Sequence, residues 1–260
     1  DILLRFVRRF DIDEKSVEKE KPIIVEEIKM YEQMPDMKLL AETYQAVFHE
    51  FPFIYDIAGT SESVNNTSLK DLQTAYSLNY HDQRLVLVVI GNEEPSTLKD
   101  FINQHPQNSS NDLPKVKNKT VVEPLTVNKT YHEVYESIET EKMSYSFKFE
   151  YKGKDRLLDR FAIRRILDMN FSEMNEEYQE WLDNDIISDF FSYDVDLRDG
   201  FGVVYFFNQS SKYQEFQDLI DYKMKHLILD ENKFHQLLRR NYGEIILSLS
   251  QFVINLCKKI

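Results

Sequence analysis

Apolar residues among the first fifty positions recur at steps of three and four, which is the period of an amphipathic helix. The members of this pattern are Ile24, Ile28, Tyr31, Leu39, Leu40, Tyr44, Val47 and Phe48. Pro35 interrupts the pattern, because the residue before a proline is disfavoured in the helical conformation. The sequence therefore predicts two helices, at about 22–33 and 36–49, and places Pro22 in a first turn or at a kink.

Three further elements are predicted in the first half of the chain. Ser68 stands three residues before Asp71, which is the spacing of a capping box and predicts a helix at about 69–80. The run Arg84–Ile90 is apolar after its first residue and is followed by a glycine, which is typical of a buried strand. A short helix is predicted at about 97–104.

The segment Met143–Tyr151 alternates strictly between apolar and polar residues, as a strand with one buried face does. Such a strand is either a sheet edge that receives an extended peptide or an internal strand, and we favour the internal strand. Several elements are predicted after it: helices around 157–167 and 178–182, strands Phe190–Asp196 and Phe201–Phe207 joined by a hairpin at Asp199-Gly200, and helices at about 212–229 and 231–255.

The segment 106–120 is polar and contains two prolines, so it is predicted to link two units. Residues 1–105 and 121–260 then form the units on either side. Both mix helices with strands, which predicts an α+β fold.

Composition narrows the function classes. With 45 acidic and 32 basic residues the net charge is -13, which argues against a nucleic-acid partner because that surface must be basic. The one cysteine excludes an internal disulfide framework and fits a reducing compartment. The N-terminus has no signal-peptide pattern, and no apolar run approaches the ~20 residues of a membrane span. A cytoplasmic protein without a membrane partner is expected.

Two blocks of sequence carry a resemblance to a known family. The first is EKEKPIIVEEIKMY at Glu18–Tyr31, and the second is YDIAGTSES at Tyr55–Ser63. Together they resemble the insulinase-like (pitrilysin) zinc metallopeptidases, and most closely the paired insulinase-family proteins of Gram-positive bacteria. That family uses an inverted H-x-x-E-H zinc motif and takes a third ligand from a downstream glutamate. None of the six histidines of this chain begins or ends such a motif.

The resemblance implies two sequential insulinase-like repeats, each a mixed β-sheet with helices packed on one face. The first repeat is incomplete and begins after the motif helix. The resemblance also implies that Glu18, the first glutamate of the family's E-x-E-x-x-x-x-x-E segment, is a metal ligand. A carboxylate would complete a Zn²⁺ site made by two imidazoles and leave a position open for the attacking water. The alternative is a solvated helix face rich in Glu and Lys. No other catalytic, cofactor-binding or metal residue is predicted.

By this resemblance, the chain is expected to be part of a zinc-dependent metalloendopeptidase that cleaves peptides inside a chamber of two halves. Its expected partners are a peptide substrate and a second insulinase-like half or paralogous subunit. The alternative is a non-catalytic insulinase-like subunit that acts as a chamber wall or assembly partner. The discriminating observation is whether H-x-x-E-H precedes Asp1 in the gene.

The isolated chain is predicted to bind no zinc tightly and to have no peptidase activity, because one carboxylate cannot replace an imidazole pair and a general base. Metal analysis of the purified 260-residue chain after dialysis tests this prediction. Stoichiometric zinc that survives dialysis would contradict it.

Overall fold

The computed structural model describes residues 2–104 and 121–257, with side chains up to residue 248. The helices, in chain order, are α1 Ile2–Val7, α2 Glu14–Glu32, α3 Pro35–Val47, α4 Ser61–Asn66, α5 Leu69–Asn79, α6 Pro95–Asn103, α7 Arg156–Phe171, α8 Tyr178–Asp183, α9 Tyr213–Lys225 and α10 Glu231–Cys257. The strands are β1 Lys142–Tyr151, β2 Ser192–Leu197 and β3 Gly200–Gln209. Helices and a sheet are therefore both present, as the α+β prediction requires.

The chain divides into two compact units. The first comprises Asp1–Gln33 and Tyr55–Thr120, and the second comprises Met34–Ile54 and Val121–Ile260. The predicted linker 106–120 lies outside the described residues, so the division of the sequence at that segment stays a prediction. No helix in the described part of the chain is both long and apolar enough to cross a membrane.

In the first unit, helix α2 begins eight residues before Pro22. Asp13 caps its N-terminus by accepting a hydrogen bond from the backbone N–H of Ser16 at 2.8 Å. The prediction of a helix start near residue 22 was therefore wrong, because a side-chain cap upstream begins the helix and Pro22 lies within it. Val17 and Ile28 are the buried residues of this helix. The helix predicted at 69–80 is confirmed as α5, with its capping box formed by Ser68 and Asp71.

The strand predicted at Arg84–Ile90 is absent from the first unit. Residues 82–84 form a 3₁₀ turn and residues 85–90 have no regular structure. Val86 is 90% exposed and Ile90 is 90% exposed. A strand needs a hydrogen-bonded neighbour, and the first unit has no strand among its described residues that could provide one.

The second unit contains a three-stranded antiparallel sheet in the order β1-β3-β2. The predicted strand at 143–151 is confirmed as β1, which pairs with β3 over its whole length, from Lys142 opposite Gln209 to Tyr151 opposite Gly200. The predicted hairpin is confirmed by β2 and β3. Gly200 at their connection has φ of 94°, a conformation that favours glycine.

The two faces of this sheet are covered by different helices. Val204 and Phe206 of β3 face a core that also contains Phe171 of α7 and Ile220 of α9. The alternate residues of β3 face a second core, formed mainly by α3 and the turn that follows it. Its buried members are Val47, Phe48, Phe201, Val203 and Tyr205. Helix α3, assigned to the first repeat from sequence, thus packs on the sheet of the second unit.

A buried ion pair lies where α3 ends on the sheet. Lys148 of β1 and Glu123 have side chains that are 1% and 0% exposed, and Lys148 Nζ is 2.6 Å from Glu123 Oε1. The Glu123 carboxylate also accepts hydrogen bonds from the backbone N–H groups of His49, Glu50 and Phe51 at 2.8–2.9 Å. These donors follow the last turn of α3, so one carboxylate satisfies three consecutive backbone groups.

The ammonium group of Lys148 is equally well satisfied. It donates to the carbonyl oxygen of Val47 at 3.0 Å and to that of Thr126 at 3.2 Å. It also lies 5.2 Å from the centre of the Phe48 ring. A buried charge is tolerated only when it is paired and hydrogen-bonded in this way. The pair therefore joins α3, the segment 123–126 and strand β1.

Replacing Lys148 with Met is expected to lower the free energy of unfolding by about 3–5 kcal/mol, because the Glu123 charge then stays buried without its ionic partner. The matched control is Lys152→Met, which removes the exposed Lys152–Glu150 pair and should cost less than about 1 kcal/mol. Urea denaturation of both variants measures the difference. Equal destabilisation would contradict the role of the buried pair.

Stability should also depend on the ionisation of Glu123. Burial alone would raise the pKa of this carboxyl, but hydrogen bonds from Lys148 and from the backbone of His49 and Glu50 outweigh burial and hold the pKa below its ordinary value. The stabilisation is therefore fully present above the unfolded-state pKa and is lost as the pH falls through the lower folded-state pKa.

The wild-type free energy of unfolding is thus expected to fall more steeply than that of Glu123→Gln as the pH is lowered from about 5 to about 3. Urea titrations at a series of pH values measure the two slopes. Parallel slopes would show that Glu123 does not contribute to acid sensitivity.

Candidate functional site: a glutamate on helix α2 and the edges of the sheet

Glu18, the predicted metal ligand, lies in the second turn of α2. Its side chain is 57% exposed, and its Oε1 atom is 2.5 Å from Lys21 Nζ on the same helix face. Pro22 has no N–H to donate to the Glu18 carbonyl, so that carbonyl lacks the usual intrahelical partner. The carboxylate itself is held only by a surface pair, which is worth at most about 1 kcal/mol.

The other glutamates of the same sequence block share this environment. Glu20, Glu26 and Glu27 are all exposed, and Glu26 pairs with Lys29 at 2.8 Å. The geometry thus gives Glu18 no contact that separates it from its neighbours. Its assignment as a ligand stays a prediction.

The two blocks that carried the resemblance come together in the first unit. Helix α2 packs against α4, which begins directly after the Tyr55–Thr60 loop. Gly59 in that loop has φ of 77°, and Thr60 caps α4 through a reciprocal hydrogen-bonded pair with Ser63. Gly59 therefore allows a backbone conformation just before α4 that other residues rarely adopt.

The described residues contain no group of three or more His, Cys, Asp or Glu side chains that could hold a metal ion. Their histidines have other contacts. His132 Nε2 is 2.7 Å from Glu42, and His226 stacks on Tyr222 with ring centres 4.4 Å apart. His226 caps α9 while His235 lies in α10, on two different helices as predicted.

Strand β1, interpreted from sequence as an internal strand, lies at an edge of the described sheet. That interpretation was wrong for this sheet, because strict alternation reports one buried face and says nothing about how many neighbours a strand has. The opposite edge is β2. Arg160 Nε donates to the Val195 carbonyl at 2.8 Å, and Arg164 donates to the Tyr193 carbonyl. Two arginines therefore cover the backbone of β2.

Sequence reasoning also missed Glu123, the carboxylate that is most completely satisfied by the surrounding chain. Its partner Lys148 was visible as the one basic residue inside an alternating strand. No local pattern marks Glu123, because its four hydrogen-bond donors lie 25 or more residues away.

Comparison with known proteins decides the family. Residues 66–240 match the family profile described as the Peptidase M16 inactive domain. The chain belongs to the M16 peptidase family. The insulinase-like resemblance is thereby confirmed, and the matched residues extend beyond the two blocks that carried it into the second unit.

Two relatives from Bacillus subtilis are described as uncharacterised zinc proteases. The chain is 28% identical to YmfH over 206 residues, which are 78% of this chain and 48% of YmfH. It is 35% identical to YmxG over 103 residues, which are 38% of this chain and 24% of YmxG. The chain thus spans about half the length, or less, of the curated M16 relatives that it matches.

A solved structure has the same M16 architecture. The crystal structure of an M16-like peptidase from Alicyclobacillus acidocaldarius superposes with a TM-score of 0.80 at 26% identity, over 95% of this chain and 60% of that chain. A protease from Helicobacter pylori superposes with a TM-score of 0.77 at 14% identity over 94% of this chain and 61% of that chain, which shows the fold alone. The α+β fold class is confirmed.

Proposed function

We propose that this chain is part of a zinc-dependent metalloendopeptidase of the M16 family that cleaves peptides inside a chamber of two halves. The observation that supports this proposal is the match of residues 66–240 to the inactive domain of that family. The names of the two Bacillus relatives support zinc and proteolysis as its chemistry. In this proposal the second unit is a wall of the chamber, because its core is a packed α+β unit without a described cluster of catalytic side chains.

The first unit would contribute Glu18 as one zinc ligand. An exposed carboxylate in a weak surface pair can change partners at little cost, which suits a ligand that a metal recruits. The described residues do not form a complete zinc site by themselves, since Zn²⁺ needs three protein ligands in a catalytic site. The remaining ligands and the general base would come from another part of the intact protein, and Zn²⁺ would be its cofactor.

The second candidate is a non-catalytic M16 subunit in the same compartment, expected to be the cytoplasm. The description of the matched domain as inactive favours it. In that case the chain would pair with a second insulinase-like half or a paralogous subunit, and a peptide would be bound without being cleaved by this protein. The two candidates share the fold and differ in the metal centre.

Zinc content and peptide cleavage by the intact protein distinguish these candidates. Zinc at one equivalent, together with cleavage of unfolded polypeptides that a chelator abolishes and zinc restores, is expected for the peptidase. An intact protein that binds no zinc and cleaves nothing, but forms a stable complex with a second M16 chain, would overturn the first proposal in favour of the second.

Glu18→Gln in the intact protein is expected to reduce both zinc content and peptide turnover by at least tenfold, because glutamine keeps the size but removes the charge that balances Zn²⁺. The matched control is Glu20→Gln, two residues away on the same exposed helix. Its loss should stay below about twofold, since only a screened surface charge is removed. Equal zinc content and turnover in the two variants would rule out Glu18 as a ligand.

A further inference from the structure

The two edges of the sheet differ in how their backbone groups are satisfied. In an antiparallel pair of strands, the backbone N–H and C=O groups of every second residue bond the partner strand. Those of the residues between them point away from the partner. Arg198 N–H donates to the Phe201 carbonyl at 2.9 Å, so the even-numbered residues of β2 bond β3. The backbone groups of the odd-numbered Tyr193 and Val195 therefore point away from β3. These are the two carbonyls that Arg164 and Arg160 cover.

The same reasoning identifies the outward groups of β1. Ser210 N–H donates to the Glu141 carbonyl at 3.0 Å, so the backbone groups of the odd-numbered residues of β1 bond β3. The backbone groups of the even-numbered residues point away from β3. Among the described residues, no side chain or backbone group bonds the outward backbone of Ser144 or Ser146. The aromatic side chains Tyr145, Phe147 and Phe149 along this strand stay only partly buried. One edge of the sheet is covered, and the other is open.

The segment that could close the open edge is already beside it. Residues 131–138 have no regular structure and are joined to β1 by three residues. Glu136 pairs with Lys38 of α3, and His132 pairs with Glu42 one turn further along that helix. Helix α3 in turn contacts β1, through the hydrogen bond between Thr43 and Ser144. The segment therefore runs antiparallel to β1.

Its side chains also alternate as those of a strand do. The even-numbered His132 and Glu136 face α3, whereas Tyr131 and Glu133 bond one another at 3.0 Å through their side chains. Tyr131 is 78% exposed and Tyr135 is 86% exposed. The segment thus presents two aromatic residues that its present position leaves in solvent.

We propose that Tyr131–Ile138 is a strap poised to close on the open edge of β1 as a fourth strand. The three-residue connection sets the register, with Ile138 opposite Lys142 and Val134 opposite Ser146. The even-numbered residues of both strands then face each other with their free backbone groups. Tyr135 comes opposite Tyr145, and Tyr131 comes opposite Phe149.

Closure would complete the burial of the aromatic row on β1, which is the kind of cross-strand contact that stabilises sheets. The side chains of His132 and Glu136 stay on the α3 side of the sheet in this register. Closure also covers the open edge of the described sheet, to which another chain could otherwise add as a strand. The strap therefore decides whether β1 is open to an extended peptide.

Amide hydrogen exchange with a pair of proline variants tests this proposal. In the closed register the Val134 N–H points at β1 and the Glu133 N–H points at solvent, so Val134→Pro blocks closure and Glu133→Pro does not. The Ser144 and Ser146 amides are expected to exchange at least tenfold faster in Val134→Pro than in wild type. They should exchange within threefold of wild type in Glu133→Pro. Unchanged exchange at Phe206, inside the β1-β3 ladder, would show that both variants are folded.

Cysteine pairing gives an independent measurement in a Cys257→Ser background. Residues 137 and 143 are opposite each other in the closed register, so the first double variant is Ser137→Cys with Met143→Cys. The control is Glu133→Cys with Met143→Cys, whose thiols are four residues out of register. The first pair is expected to form an intramolecular disulfide at least tenfold faster than the second, because the thiols must come within bonding distance. Equal oxidation rates, or Ser146 exchange that is the same in wild type and Val134→Pro, would overturn the proposal.

Discussion

The second unit depends on one buried ion pair, Glu123 with Lys148. Neither charge has access to water, so each must be satisfied by the protein or the fold loses several kilocalories per mole. The Glu123 carboxylate accepts hydrogen bonds from three backbone N–H groups that follow α3, and it also pairs with Lys148. Three segments distant in sequence must therefore meet at one point. The position of α3 on the sheet follows from this requirement together with the Phe48 core.

This arrangement explains why α3 and β1 behave as one structural body. Lys148 donates to the carbonyl of Val47 at the end of the helix. Thr43, one helical turn earlier, bonds Ser144, which is four residues before Lys148 on the strand. The helix is thus attached to β1 at two levels. Its opposite side carries Lys38 and Glu42, which hold the segment 131–138 beside the strand. The open edge of the sheet and the segment that can close it are placed by the same helix.

The fold and the chemistry of this M16 chain are separable. The fold of the second unit is stabilised by buried apolar residues of the sheet and by α3, which packs on it. The proposed ligand Glu18 lies instead on an exposed helix face in the other unit, among glutamates of the same environment. A fold hosts a site without determining it, so membership in the M16 family settles the architecture of this chain and not the chemistry of the intact protein.

The sequence by itself determined the elements whose signals are local. The capping box at Ser68, the alternation of Met143–Tyr151 and the glycine of the hairpin each depend on a few neighbouring residues, and each predicted its element correctly. The family was also readable from two short blocks. The tertiary structure alone decided the relations between distant residues. These are the absence of a neighbouring strand for residues 85–90 in the described part of the first unit, the edge position of β1 in the described sheet, the packing of α3 on that sheet and the burial of Glu123. Hydrogen-bond partners and burial arise from segments that meet in space, and hydrophobic periodicity within one segment does not encode which other segment it meets.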